Sequence, residues 1–316
     1  MILRVVNHKF HYEMENLCRV FYPHETIRVT GLYGADETDD ITVTTSLSGE
    51  YLVIVSVCIN GTTGKKEKSV AEYDDCEREM AILLFSLLSS VTGYTPQWGI
   101  LTGVRPSKLM NTLIGEYGDD GAKEYFTDKL LVNGKKTELA YSVAKAEEKI
   151  MSLSDEKSFS LYVSIPFCPT RCNYCSFVSH SIEQAKKLLP DYVENLCREI
   201  KQTAQIANEL GLRLESIYWG GGTPTTLSAQ MLEKICAEIN ESFDLSHIRE
   251  YTIEAGRADT VTPEKLRVIK AAGVGRISIN PQTFNDDVLK AIGRRHTVDD
   301  VVRVFSQARE AGFDNI

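Results

Sequence analysis

Three cysteines, Cys168, Cys172 and Cys175, stand in the run LYVSIPFCPTRCNYCSF at residues 161–177, spaced C-x3-C-x2-C. The residues before them, 160–167, are rich in β-branched and aromatic side chains and read as a strand. Pro166 and Pro169 bar regular helix, so the cysteines lie on a loop leaving a strand end. A loop lets three thiolates converge. A structural zinc site usually takes four ligands, and a C-x2-C pair is normally matched by a distant second pair, which this sequence lacks. His180 could supply a fourth ligand, so zinc stands as the competing reading. A 4Fe-4S cluster normally takes four cysteines, one per iron. Three would leave one iron open to a small molecule, which points to catalysis rather than simple electron transfer.

Other stretches carry chemistry further along. Gly220, Gly221 and Gly222 run into Thr223, Pro224 and Thr225. Bare backbone lets a ligand approach closely. Alone, such a run is equally a tight turn; directly after a predicted strand and before a helix it reads as a binding turn. Glu254 ends another predicted strand, where a carboxylate can accept hydrogen bonds from a diol such as a ribose. Gln282 follows a third, in INPQTF, and Arg294 lies in GRRH, where a guanidinium can hold a carboxylate bidentately. His296, taken alone, is more often structural than catalytic.

The elements that must position these residues share one pattern. From residue 159, short apolar strands at 159–165, 216–219, 250–254 and 276–280 alternate with helices at 191–210, 228–242, 263–272, 285–292 and 298–311. That alternation argues for a parallel α/β sheet. Curled sheets of this kind carry their chemistry at the C-terminal strand ends, where every motif above falls. Residues 1–95 read as an α+β domain: a strand at 2–6, a helix at 12–21, and antiparallel strands at 41–46, 51–59 and 68–73. Ser48-Gly49 and Asn60-Gly61 supply the turns. An apolar helix follows from Asp74 or Asp75, closed by Gly93. Residues 96–158 read as a helical connector, with a helix at 137–151 and a polar linker at 152–158, and 159–316 as the α/β core.

Composition narrows the function classes. A net charge of -9 with no concentrated Lys/Arg run gives no electrostatic case for nucleic acid. Lys65, Lys66 and Lys68 read as a solvated hairpin turn. Eight cysteines in 316 residues are not a disulfide scaffold. Thiolates held for iron imply a reducing compartment. No signal-peptide plan opens the chain and no apolar run is long enough for a membrane span, so the expectation is a cytoplasmic protein.

The three-cysteine spacing resembles the signature of the radical S-adenosylmethionine (SAM) superfamily. More narrowly, YVSIPFCPTRCNYCSF is similar to the oxygen-independent coproporphyrinogen III oxidase-like group, in its longer branch with an extra N-terminal domain. The resemblance implies a partial (β/α)6 radical SAM barrel behind an N-terminal α+β domain. It implies a 4Fe-4S cluster on Cys168, Cys172 and Cys175, with SAM at the remaining iron. It places Tyr162 against SAM and Tyr174 beside the cluster. It gives Gly221, Gly222 and Thr223 to the methionine amino end of SAM, and Glu254, Gln282 and Arg294 to the rest of that site. A reductant such as flavodoxin or ferredoxin would supply one electron, splitting SAM into methionine and a 5′-deoxyadenosyl radical. That radical would take hydrogen from a propionate of coproporphyrinogen III. Loss of carbon dioxide and an electron would leave a vinyl group, and two rounds would give protoporphyrinogen IX.

Two positions depart from the oxidase proper. Phe177 stands where it carries a fourth cysteine, and Ser164 where it carries a histidine. Three cluster ligands remain, but heme-trafficking relatives also lack that cysteine. A heme chaperone of the same fold is therefore the second expectation, with heme as its partner. Cores of this kind have six such strands and a further C-terminal region, so a sequence with four strands before Ile316 looks like a fragment.

Overall fold

A computed structural model describes residues 1–31, 39–103, 105–177 and 179–316. The chain divides into two compact units, Met1–Leu153 and Ser154–Ile316.

The first unit is built on a five-stranded sheet in the order β2-β1-β3-β4-β5. Its strands are β1 (Ile2–Val6), β2 (Arg28–Thr30), β3 (Ile41–Ser48), β4 (Leu52–Ile59) and β5 (Thr62–Ser69). Strand β4 alternates, burying Val53, Val55, Val57 and Ile59, the period expected when one sheet face is covered. Helices α1 (His11–Phe21) and α2 (Tyr73–Thr92) contribute Leu17, Leu84 and Leu88 to the same core.

Two expectations are corrected here. The sheet is mixed: β3, β4 and β5 are antiparallel, but β1 pairs in parallel with both β2 and β3. The last hairpin strand runs over Thr62–Ser69, not 68–73. Asn60 and Gly61, at φ 48° and 81°, turn the chain in two residues, so β5 returns at once. Lys65, Lys66 and Lys68 accordingly lie on the edge strand rather than in the turn. Charged side chains there discourage pairing with a second sheet.

Helices α3 (Pro106–Glu124) and α4 (Gly134–Met151) complete this unit. They enclose a small core of Met110, Phe126, Ala140 and Ala144. Ile100 packs against both that core and the sheet's. The helical stretch expected as a separate connector thus shares its unit with the sheet.

The second unit is a parallel sheet in the order β11-β10-β9-β6. Its strands are β6 (Ser158–Ile165), β9 (Arg213–Gly221), β10 (Glu250–Glu254) and β11 (Arg276–Ser278). Two-residue strands β7 (Phe167–Cys168) and β8 (His180–Ser181) pair outside this sheet. Helices α5 (Ile182–Ala185) and α6 (Leu189–Glu209) lead from β8 to β9, α7 (Ala229–Ser242) links β9 to β10, and α8 (Pro263–Ala271) links β10 to β11. Helices α9 (Asp286–Ala291) and α10 (Val298–Glu310) follow. Asn315 then bridges in parallel to Arg276 on β11.

The register explains why one sheet face is apolar and the other polar. Val163, Trp219 and Ile253 lie side by side across β6, β9 and β10 and are buried with α6, α7 and α8 in one core. One residue out of phase, Tyr162, Tyr218 and Thr252 share the opposite face, as do Ser164, Gly220 and Glu254. The C-terminal ends of all four strands therefore reach one edge. Among the described residues, no helix is long and apolar enough to cross a membrane.

Candidate functional site

At that edge one cavity is lined by Cys168, Cys172 and Cys175 together with Tyr174, Gly221, Gly222, Thr223, Glu254, Gln282 and Arg294. All the site residues expected from the sequence meet there except Tyr162. That side chain is 59% exposed on the polar sheet face, stacked on Tyr218 at 6.1 Å between ring centroids.

Local chemistry sets each position. Cys168 ends β7, and its Sγ lies 3.4 Å from the hydroxyl of Thr223. Cys172 and Cys175 face the cavity from one turn, closed by the Cys175 N–H donating to the Cys172 carbonyl at 3.0 Å. All three thiols are half-buried. The glycine turn is also stitched to the cysteine segment through the backbone. Gly222 N–H donates to Ile165 O at 2.8 Å, and Thr223 N–H to Phe167 O at 2.9 Å. A Cβ on Gly222 would stand 2.8 Å from Phe167 O and 2.9 Å from Phe167 N. Only glycine permits that approach. With those N–H groups committed, the turn offers a ligand carbonyl oxygens, which suit a donating ammonium group.

Glu254 accepts a hydrogen bond from the Tyr218 hydroxyl. Burial, then the carboxylate itself, pushes the Tyr218 phenol up to about 12, so it stays a donor at neutral pH. Gln282 sits in the left-handed region at φ 65°, uncommon for a side-chain-bearing residue and typical of functional sites. Arg294, expected to hold a carboxylate, is tied within the chain by two hydrogen bonds. Its Nη1 donates to Gly256 O at 3.0 Å and its Nη2 to the Tyr174 hydroxyl at 3.1 Å. It braces the cavity wall and orients Tyr174.

The sequence reading did not single out Thr170, Arg171, Ser179, Gly256, Arg257 and Asn280, which also line the cavity. Arg257 lies three residues after Glu254, and its place on the same strand-end loop was the available signal. Phe177 also lines the cavity and is 66% exposed. His180, weighed as a zinc ligand, lies instead on a neighbouring cavity with Cys168, Arg171 and Gln184. Among the described residues, no three His, Cys, Asp or Glu side chains are grouped to hold a single metal ion. A cubane asks for something else: each thiolate takes its own corner iron, so the thiols ring a space rather than meet at a point.

Residues 162–316 match the family model described as the radical SAM superfamily. The chain belongs to that superfamily. Coproporphyrinogen III oxidase-like proteins are among the relatives it resembles. It is 33% identical to the oxygen-independent coproporphyrinogen-III oxidase-like protein HemZ of Bacillus subtilis, over 98% of this chain and 64% of that protein. It is 42% identical to the heme chaperone HemW of the same organism, over 50% of this chain and 40% of that protein. A solved structure, coproporphyrinogen III oxidase (HemN) from Escherichia coli, matches 54% of this chain and 38% of its own at 28% identity and a TM-score of 0.45. The chain thus spans less than two thirds of the length of each.

The cofactors of this family are a 4Fe-4S cluster and SAM, and the residues present fit them. Three half-buried thiols line one space, and the glycine turn packed against the cysteine segment lines it beside them.

Proposed function

We propose that this chain carries the cluster- and SAM-binding part of a radical SAM enzyme that decarboxylates the propionates of coproporphyrinogen III. The observation that supports it best is the meeting of three thiols, the glycine turn, Glu254 and Gln282 around one cavity. In this reading Cys168, Cys172 and Cys175 hold three irons and leave the fourth open. The carbonyls of the glycine turn accept the ammonium of SAM. Glu254, oriented by Tyr218, accepts from the ribose, and Gln282 closes the rim. Arg294 keeps Tyr174 against the cluster side. When bound, the two cofactors supply a hydrogen-abstracting radical, while the protein supplies position and electrostatics. Removal of a hydrogen atom from a propionate, followed by loss of carbon dioxide and one electron, leaves a vinyl group. The name of the Bacillus subtilis HemZ relative supports this substrate class.

A second reading, a heme chaperone, has its own support. Phe177 stands at the position of the oxidase's extra cysteine and puts an apolar ring on the cavity. Relatives named heme chaperone match about half of this chain. Incubation of the anaerobically reconstituted natural protein with coproporphyrinogen III, SAM, a reductant and an electron acceptor, beside a heme titration, separates the two. Release of carbon dioxide with formation of protoporphyrinogen IX is expected. Saturable heme binding without decarboxylation would favour the chaperone.

A further inference from the structure

The cysteine loop forms little regular structure of its own, so what holds it decides where its thiols stand. Two sets of ties are neutral. Thr223 N–H binds Phe167 O before the loop. Within it, the Thr170 hydroxyl donates to Gly293 O at 2.7 Å, and Asn173 binds Ile292 O through its N–H and Ala291 O through its amide. Inside the loop Arg171 Nη2 also donates to Cys175 O at 3.4 Å. The third tie to the rest of the unit is charged. Arg257 Nη1 donates to Thr170 O at 3.0 Å, between the first and second cysteines.

Arg257 is 2% exposed, yet it lines the cavity. A buried cation is costly unless paired and hydrogen-bonded. Asp259 provides the pairing from two residues on, accepting from Nε at 3.2 Å and Nη2 at 3.3 Å. Buried His296 backs Asp259, its Nδ1 3.6 Å from the carboxylate. One planar fork thus engages a carboxylate on one edge and a loop carbonyl on the other. Lysine, a point donor, cannot reproduce that.

We propose that Arg257 is a positioning residue for the cluster: it pins the Thr170 carbonyl, and with it the Cys168–Cys172 span, and sets a positive charge on the cavity wall facing the thiolates. The proposal rests on the reading of the three cysteines as ligands and goes beyond it. Outer partners of metal ligands typically change metal affinity 10- to 100-fold. A nearby cation favours the reduced, more negative cluster.

The test uses the natural protein as wild type and as Arg257→Met, Arg257→Lys and Asp259→Asn, reconstituted anaerobically. Iron and sulfide per chain, the electron paramagnetic resonance spectrum and the reduction potential are measured beside circular dichroism of the apo proteins. Arg257→Met should lower iron affinity by roughly 10-fold or more. Its residual cluster should have a more negative potential. Arg257→Lys should recover the potential but not the full affinity. Asp259→Asn leaves the charge less compensated and should move the potential in the positive direction. That variant decides the matter if Arg257→Met fails to fold. Wild-type affinity and potential in Arg257→Met, or an unshifted or more negative potential in Asp259→Asn, overturns the proposal alone. Wild-type protein that takes up no cluster overturns the ligand reading and this proposal with it.

Discussion

The three cysteines meet the cavity under two different constraints. Cys168 is fixed by the pairing of β7 with β8, whereas Cys172 and Cys175 share a turn closed through the backbone. Cys172→Ala therefore removes a thiol without removing the hydrogen bond that shapes the turn. The reconstituted variant should lose the broad visible absorption of the cluster; unchanged absorption would remove Cys172 from the ligand set. Gly222→Ala acts differently, by pushing a methyl group into the Phe167 backbone. Overpacking of this kind costs about 1–3 kcal/mol. SAM binding, followed by equilibrium dialysis on the cluster-loaded protein, should weaken in parallel, and wild-type affinity would show that the cradle is not used. The residues legible in sequence were those whose chemistry is written in type and spacing: the thiols, the glycine turn, Glu254, Gln282. Arg257 was not, because its role comes from a carbonyl 87 residues away. Tyr162 stacks on Tyr218, and its hydroxyl lies beside Gly220 at the start of the glycine turn, next to the cavity rather than on its lining.

At the scale of elements, alternation and turn chemistry carried most of the information. Strands β1 and β10 fall at 2–6 and 250–254 as expected, and Ser228 and Gly93 cap α7 and α2 at the residues where those helices were expected to begin and end. Strand β2 was not legible. Three residues, mostly exposed, carry no period, and only pairing with β1 makes them a strand. Nor was the parallel pairing of β1, which depends on what lies beside it in space. The starts of β6 and β9 are joined by another feature invisible in sequence. Glu215 on β9 accepts from Arg213 at 2.8 Å, from Ser154 and Ser158 at 2.7 Å each, and from Arg249. Arg213 first, then Ser154 and Ser158, hold its carboxyl down at about 2 against an ordinary 4.5. A depressed carboxylate stabilises the fold above its unfolded value and loses that contribution as pH falls through its folded one. The thermal midpoint of the wild type should therefore drop between about pH 4.5 and 2. Glu215→Gln should melt lower at neutral pH and show a shallower drop over that window; an unchanged profile would show that the network adds nothing to stability.

At the scale of the whole molecule, the second unit presents four β/α repeats whose strand ends converge on one cavity, and the first presents a separate mixed sheet with its own core. The division of labour follows from where chemistry-bearing side chains lie: the cysteines, the glycine turn and the strand-end polar residues all belong to the second. The polar face of its sheet, with Tyr162, Tyr218 and Glu254, adjoins the cavity. The central claim is that the three thiols leave one iron for SAM, which the protein then cleaves. It is tested most directly by reducing the anaerobically reconstituted natural protein with dithionite in the presence of SAM and measuring 5′-deoxyadenosine. The account predicts 5′-deoxyadenosine that requires the cluster, rises on addition of coproporphyrinogen III, and disappears in Cys172→Ala. A fully loaded, reducible cluster that yields no 5′-deoxyadenosine with or without the tetrapyrrole would contradict it.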